Sequence, residues 1–376
     1  MKQQTSLYLD AIRICAAIAV FLSHITRESL SANNPIILFL GQFGQEGVAV
    51  FFVISGIVIA FVAKEKEHDL RSFIVARLGR LWSVVVPALI LTVILDTTGR
   101  AIAPEMYSSK IQPWGWNFDS LWNFLAPLFF LNQTAFGLID PGTNGPFWSI
   151  CFEFWYYILF GIGFYLRGFS RLFLLIIAGI IAGPRILALF PIWAFGLIIY
   201  LRLKRLSISA NSLGVWVLSC IALISLMLFK YKVSVLLVSL FPALSLNSID
   251  VASWISHFVV GIMCSINIAI YDNCKGLEIF HKKSVEQSIR YLAARSFSLY
   301  LYQAPCLFFF GALTYGIKSA IFRIIVIVVM SLITILVLSE LTELRKKWFV
   351  SLANRIIPEK VPGLPMWALS SQIFAK

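Results

Sequence analysis

Ten predominantly apolar stretches divide this chain, at 7–27, 45–63, 81–98, 147–166, 171–185, 187–201, 211–229, 252–271, 296–315 and 318–341. A hydrocarbon core about 30 Å thick is crossed by roughly 20 apolar residues in a helix, because only a helix satisfies its own backbone polar groups there. The stretches therefore predict an all-α, polytopic transmembrane helical bundle of about ten spans. Composition agrees: 59% of the residues are hydrophobic and 13% charged, whereas a soluble domain carries about 25% charged residues. A soluble globular protein and a disordered chain are both excluded.

Charge in the connections orients the bundle. Lys64, Lys66, Arg71, Arg77 and Arg80 follow the second stretch, Arg167 and Arg171 the fourth, and Arg202, Lys204 and Arg205 the sixth. Lys275, Lys282, Lys283, Arg290 and Arg295 follow the eighth, and Arg345, Lys346 and Lys347 the tenth. All these clusters fall on one side, which the positive-inside rule makes the cytoplasm, with both termini there. The net charge of +13 is thus a topology signal, and no nucleic-acid partner is expected. Two further apolar stretches, 121–136 and 233–246, contain Pro127 and Pro242 and are short for a span, which suits re-entrant or interfacial segments. The fifth and sixth stretches meet at Gly183-Pro184. Residues 1–347 are expected to form one transmembrane domain and 348–376 a short cytoplasmic tail. Asp10 and Arg13 interrupt the first stretch, so it reads as a retained helix rather than a cleaved signal. The six cysteines show no C-x-x-C spacing, so neither a metal site nor a disulfide framework is expected.

Ionisable groups inside lipid cost several kcal/mol unless they find partners or line a wet cavity, so they are the best clue to function. On the first helix Arg13 and His24 differ by roughly 20° in azimuth and Asp10 lies within about 60° of both. His24 sits about 16 Å along the axis from Arg13. The pair marks the inner end and His24 the outer. An interfacial charge pair with a snorkelling histidine would look the same, but a group titrating near neutrality also suits removal of a hydroxyl proton. Ser55-Gly56 on the second helix allows close helix packing. Arg77 and Arg80, one turn apart, can flank a span or grip a phosphate bidentately. Ser149, Glu153 and Tyr157 share a face of the fourth helix. Glu153 could equally be the structural partner of a cation elsewhere.

These residues carry a resemblance. Leu9-Asp10, Arg13, Ala16 and His24, then Phe51-Phe52-x-x-Ser55-Gly56, then Arg77 and Arg80, then Trp148-Ser149-x-x-x-Glu153-x-x-x-Tyr157, and finally Ser296 to Pro305 stand in the order of the motifs of acyltransferase-3 integral-membrane proteins. The chain resembles the stand-alone form of that family, without an appended SGNH-hydrolase-like domain. Ala11 and Ile14 replace the glycines that usually follow the family's Asp and Arg, and Gln303 stands where many members have a second histidine. The glutamine can still orient a substrate through hydrogen bonds.

The resemblance implies O-acyl transfer, most often of acetyl, from a coenzyme A thioester to hydroxyls of an extracytoplasmic or lipid-linked carbohydrate, as in surface polysaccharide or lipopolysaccharide modification. Acetyl-CoA would be the donor, no metal would be needed, and the chain would sit in the plasma (inner) membrane. His24, Glu153, Asp10 and Arg13 become the catalytic candidates. Arg77, Arg80, Ser55, Trp148, Ser149, Tyr157, Tyr300 and Gln303 become the substrate-binding ones. Tyr107, Trp114, Trp116 and Asn117, in the loop at 99–120, suit a sugar ring or an interfacial aromatic belt. A carrier or flippase for a lipid-linked saccharide or acyl donor, or a structural membrane partner in polysaccharide assembly, are the readings without chemistry.

Overall fold

The computed structural model describes residues 1–27, 30, 34–108, 120–203, 212–240, 248–274 and 282–357. Lys204, Arg205, Lys275, Trp114, Trp116 and Asn117 lie outside them. The described residues form helices joined by turns: α1 (Gln3–Ile25), α2 (Pro35–Gly41), α3 (Gly44–Glu65), α4 (Leu70–Ile102), α5 (Leu121–Leu128), α6 (Phe147–Tyr165) and α7 (Gly168–Leu203). It continues with α8 (Ser212–Leu240), α9 (Ser248–Asn273), α10 (Lys283–Ala293), α11 (Ser296–Leu313), α12 (Ala320–Leu341) and α13 (Lys346–Ile356). Among the described residues eight helices are long and apolar enough to cross a membrane. The chain is a multi-pass helical membrane protein.

Local chemistry sets several of the boundaries. Asp69 caps α4 by accepting the Ser72 amide at 2.8 Å, and Ser319 caps α12 through the Phe322 amide. The fifth and sixth sequence stretches form one helical run, α7, interrupted at Gly183 with φ 80° and ψ 171°. That backbone favours a residue without Cβ. The carbonyl of Ile181 beside the break is taken up by the Ala135 amide at 3.0 Å. The seventh stretch extends beyond 229, so that the part of 233–246 up to Leu240 is helical. Of 121–136, only α5 is helix, followed by turns that lead to α6. Position 348, the expected start of the tail, falls within α13.

The chain divides into two compact units. The first comprises Met1–Val20, Gln42–Val62 and Leu189–Ala293. Here α3 and the second half of α7 approach to backbone contact: a methyl at Gly56 would meet the Trp193 carbonyl, and one at Gly196 would meet the Val53 carbonyl. Gly47 likewise lets α3 close on the Ala16 carbonyl of α1. Without a hydrophobic drive between helices in lipid, such close van der Waals packing holds them together. The second unit comprises Phe21–Gly41, Ala63–Ala188 and Ala294–Lys376. In it the long helix α4 packs against α6, α11 and α13, and α11 also packs on α12.

Candidate functional site

The first unit holds Asp10, Arg13 and Ser55. Asp10 accepts from Arg13 at 3.2 Å and pairs with Arg290 of α10, which also donates to Ser6 at 2.9 Å. A residue from the basic stretch that follows α9 thus holds the N-terminal half of α1. Lys2 and Thr5 bond to Asp272 at the end of α9, extending the same polar seam. Ser55 accepts a hydrogen bond from the buried Trp193 indole at 3.2 Å, beside the close approach at Gly56.

The second unit holds His24, Arg77, Arg80, Trp148, Ser149, Glu153, Tyr157, Tyr300 and Gln303. Helix α6 starts after Gly145-Pro146 and presents Ser149, Glu153 and Tyr157 on one face, as their four-residue spacing requires. Tyr157 donates to Glu153. The Ser149 and Tyr300 hydroxyls lie 2.5 Å apart, joining α6 to α11. Gln303 is fully buried, and its amide donates to the Tyr300 carbonyl at 2.9 Å. Its Oε1 has no partner among the described residues. Trp148, half-exposed, packs edge-on against Phe152.

At one end of α4, Arg77 pairs with Glu67 and lies over the Phe73 ring. Arg77 and Arg80 both act electrostatically on Tyr157 and on Lys346, the first residue of α13. The paired arginines, the Glu153–Tyr157 bond and Lys346 therefore form one polar centre.

The opposite end holds a second centre that sequence reasoning missed. Asp96, fully buried, accepts from both the amide and the hydroxyl of Thr143, each at 2.7 Å. Asn144 donates to Thr92 at 3.0 Å and to the Leu301 carbonyl at 2.9 Å, tying the loop before α6 to α4 and α11. Nearby in the chain, Asp140 accepts from Gln133 at 3.1 Å. Burial pushes its carboxyl up to about 6, against the pull of Arg185 and Arg27. Arg27 lies over the Phe308 ring at 4.8 Å. Because His24 precedes Arg27 by less than one helical turn, it belongs to this end. Asp96 was detectable by the rule that picked out Glu153, an ionisable group within an apolar stretch. Thr143 and Asn144 carried no such signal. Tyr107, expected to face a sugar ring or an interfacial aromatic belt from the loop at 99–120, is buried, with its ring against Gly99 and Phe308.

The second unit thus carries polar groups from one end of its helices to the other. Arg80 and Asp96 are separated along α4 by about 24 Å of helical rise, and the Ser149–Tyr300 pair and Gln303 belong to the segments between. Among the described residues no group of three or more His, Cys, Asp or Glu side chains could hold a metal ion.

Fold and site define a polytopic membrane protein that keeps ionisable and amide groups inside its helices. The family model described as "Acyltransferase domain" (Acyl_transf_3) matches residues 6–340, and the chain belongs to this acyltransferase-3 family. It is 29% identical over 158 residues to "Acyltransferase MdmB" of Streptomyces mycarofaciens. That similarity covers 40% of this chain and 37% of the relative. No solved structure is significantly similar.

Proposed function

We propose that the chain is a membrane O-acyltransferase that moves an acetyl group from acetyl-CoA to a hydroxyl of an extracytoplasmic or lipid-linked carbohydrate at the inner membrane. The observation that carries this reading is the chain of polar groups through the second unit, with a paired-arginine centre at one end and the His24 end at the other. Arg77, Arg80 and Lys346 supply cations for the phosphates of coenzyme A on the side that loop charge assigns to the cytoplasm. Glu153 and Tyr157, bonded to each other, stand beside them to orient the pantetheine arm. Ser149, Tyr300 and Gln303 offer hydroxyl and amide groups to the thioester on its way outward. Trp148 gives the acceptor sugar an apolar face.

In the transfer itself, His24 takes the proton of the acceptor hydroxyl while its oxygen attacks the thioester carbonyl. The carbon–sulfur bond breaks, and the coenzyme A thiolate leaves and is protonated. Direct transfer is favoured over an acyl-enzyme relay by the bonding of Ser149, whose hydroxyl lies against a tyrosine rather than a base. Asp10 and Arg13, tied to Arg290, act as positioning groups that hold the inner end of the helix bearing His24. Ser55 serves through its bond to Trp193.

A carrier reading draws on the broken helix at Gly183, since interrupted helices are common in transporters. The two separate in one assay. Membranes containing the wild-type chain are given acetyl-CoA labelled in the acetyl group and a cell-envelope glycan. Labelled glycan with stoichiometric free coenzyme A supports transfer. Saccharide counterflow in vesicles without thioester, and no labelled glycan, would support the carrier instead.

A further inference from the structure

Helix α13 shows three distinct faces. Val350 and Ala353 face the bundle, with Val350 packed on Gly79 of α4, between the two site arginines. Arg71 fastens the far end by donating to the carbonyls of Asn354 and Ile357, each at 3.0 Å. A second face, spanning roughly 80° of azimuth, carries Trp348, Leu352 and Ile356 at four-residue spacing. They are 65%, 37% and 58% exposed, although each is large and apolar. The third face carries Lys347, Ser351 and Asn354, with Arg355 at its border with the apolar stripe. Between Leu344 and Ile357 there are four cations, Arg345, Lys346, Lys347 and Arg355, and no acid.

We propose that α13 is an interfacial helix that docks on the anionic headgroup layer of the cytoplasmic leaflet. Three observations select this occupant. The helix follows the span α12 after only a short turn, so it emerges where the bilayer ends. Loop charge puts that end in the cytoplasm, where anionic lipid attracts basic segments next to a span. An apolar stripe with tryptophan, bordered by Lys and Arg, matches a helix lying in the headgroup plane with its side chains sunk toward the acyl chains. The third face remains in water. Because α13 is seated on the turn that bears Arg77 and Arg80, the leaflet braces that turn from outside.

The test is photo-crosslinking in nanodiscs of phosphatidylcholine and phosphatidylglycerol, using the full chain with a benzophenone amino acid in place of Trp348 or Leu352. The same probe in place of Ile333, exposed in the middle of α12, is the positive control, and in place of Asn354 the water-facing one. The proposal expects lipid adducts from Trp348, Leu352 and Ile333 positions but not from Asn354. Phosphatidylglycerol should exceed its share of the bilayer among the adducts at the two α13 positions. Lys347→Gln or Arg355→Gln should each lower that enrichment roughly fivefold. A crosslink to a second copy of the chain, or no lipid adduct on α13 while Ile333 labels, would overturn the docking. Adducts in simple proportion to bilayer composition would overturn the anionic part. The readout is independent of catalysis, so it stands whether or not the chain transfers acetyl groups.

Discussion

The two units spend their polar residues differently. In the first, ion pairs gather in the seam of Lys2, Asp10, Arg13, Asp272 and Arg290, and Asn267 joins Tyr8 to Ser219. The buried Glu46 and His257 lie near the starts of α3 and α9, and α3 closes on α1 and α7 through glycine. In the second, polar groups run from Arg77 and Arg80 past Ser149, Tyr300 and Gln303 to Asp96 and Asn144. Lipid penalises an unpaired polar group, so a bundle built only for packing keeps such groups at its ends. The row through the second unit joins a pair of arginines to a buried carboxylate, and it is the part of the molecule that the proposed transfer uses. The family's motifs are divided accordingly, with Asp10, Arg13 and Ser55 among packing contacts of one unit and the others in the row of the second.

This contrast is sharpest if substitutions in the second unit reduce turnover and those in the first reduce stability. His24→Ala is expected to lower acetyl transfer roughly 10²–10⁴-fold, the usual contribution of a general base, at matched folded protein. An unaltered rate in labelled-donor assays would remove the histidine from the reaction. Gly56→Leu should cost about 3 kcal/mol or more of stability, because the side chain must displace the Trp193 carbonyl. Thermal unfolding in detergent would show a lowered midpoint. Arg80→Gln should raise the KM for acetyl-CoA roughly tenfold to a hundredfold, with a much smaller change in kcat, as loss of a charge-assisted phosphate contact predicts. If kcat falls instead, the arginine works at the reacting atoms and the proposed division of the row fails.

Smaller effects refine the picture. A double-mutant cycle of Asp10→Asn and Arg290→Gln should give a coupling of about 1 kcal/mol in stability, since the pair is partly exposed. Its loss of turnover should be well below that of His24→Ala. The smallest effect concerns Asp140. Its carboxyl, held up to about 6 by burial, keeps its proton in the folded chain over a range where the unfolded chain releases it, from roughly 3.9 upward. The folded state then binds more protons, so this group's contribution to stability falls as pH rises from about 4 to about 6. Asp140→Asn should flatten the melting temperature across that window.

Much of this was readable from the sequence because lipid imposes simple rules. A bundle of apolar helices follows from the apolar stretches, of which about ten were expected to span and eight helices among the described residues are long and apolar enough to do so, and the face shared by Ser149, Glu153 and Tyr157 follows from helical periodicity. The break at Gly183 was signalled by Gly-Pro, although periodicity cannot tell two short helices from one interrupted run. What stayed hidden were contacts between distant segments. Nothing in the local pattern pairs Arg290 with Asp10, or places Thr143 and Asn144 on α4 and α11. Phe130 is another case: at φ 57° its carbonyl receives both the Cys151 thiol and the Trp155 indole. Tertiary packing alone holds a non-glycine residue in that conformation.

The central claim is that acyl transfer runs through the second unit, and a photoreactive acyl-CoA carrying a diazirine in its acyl chain tests it most directly. The account predicts labelling of the α6 and α11 segments around Ser149 and Tyr300, suppressed by excess acetyl-CoA and weakened by Arg80→Gln. Labelling confined to α8 or α9 of the first unit, or labelling that acetyl-CoA does not compete away, would contradict it.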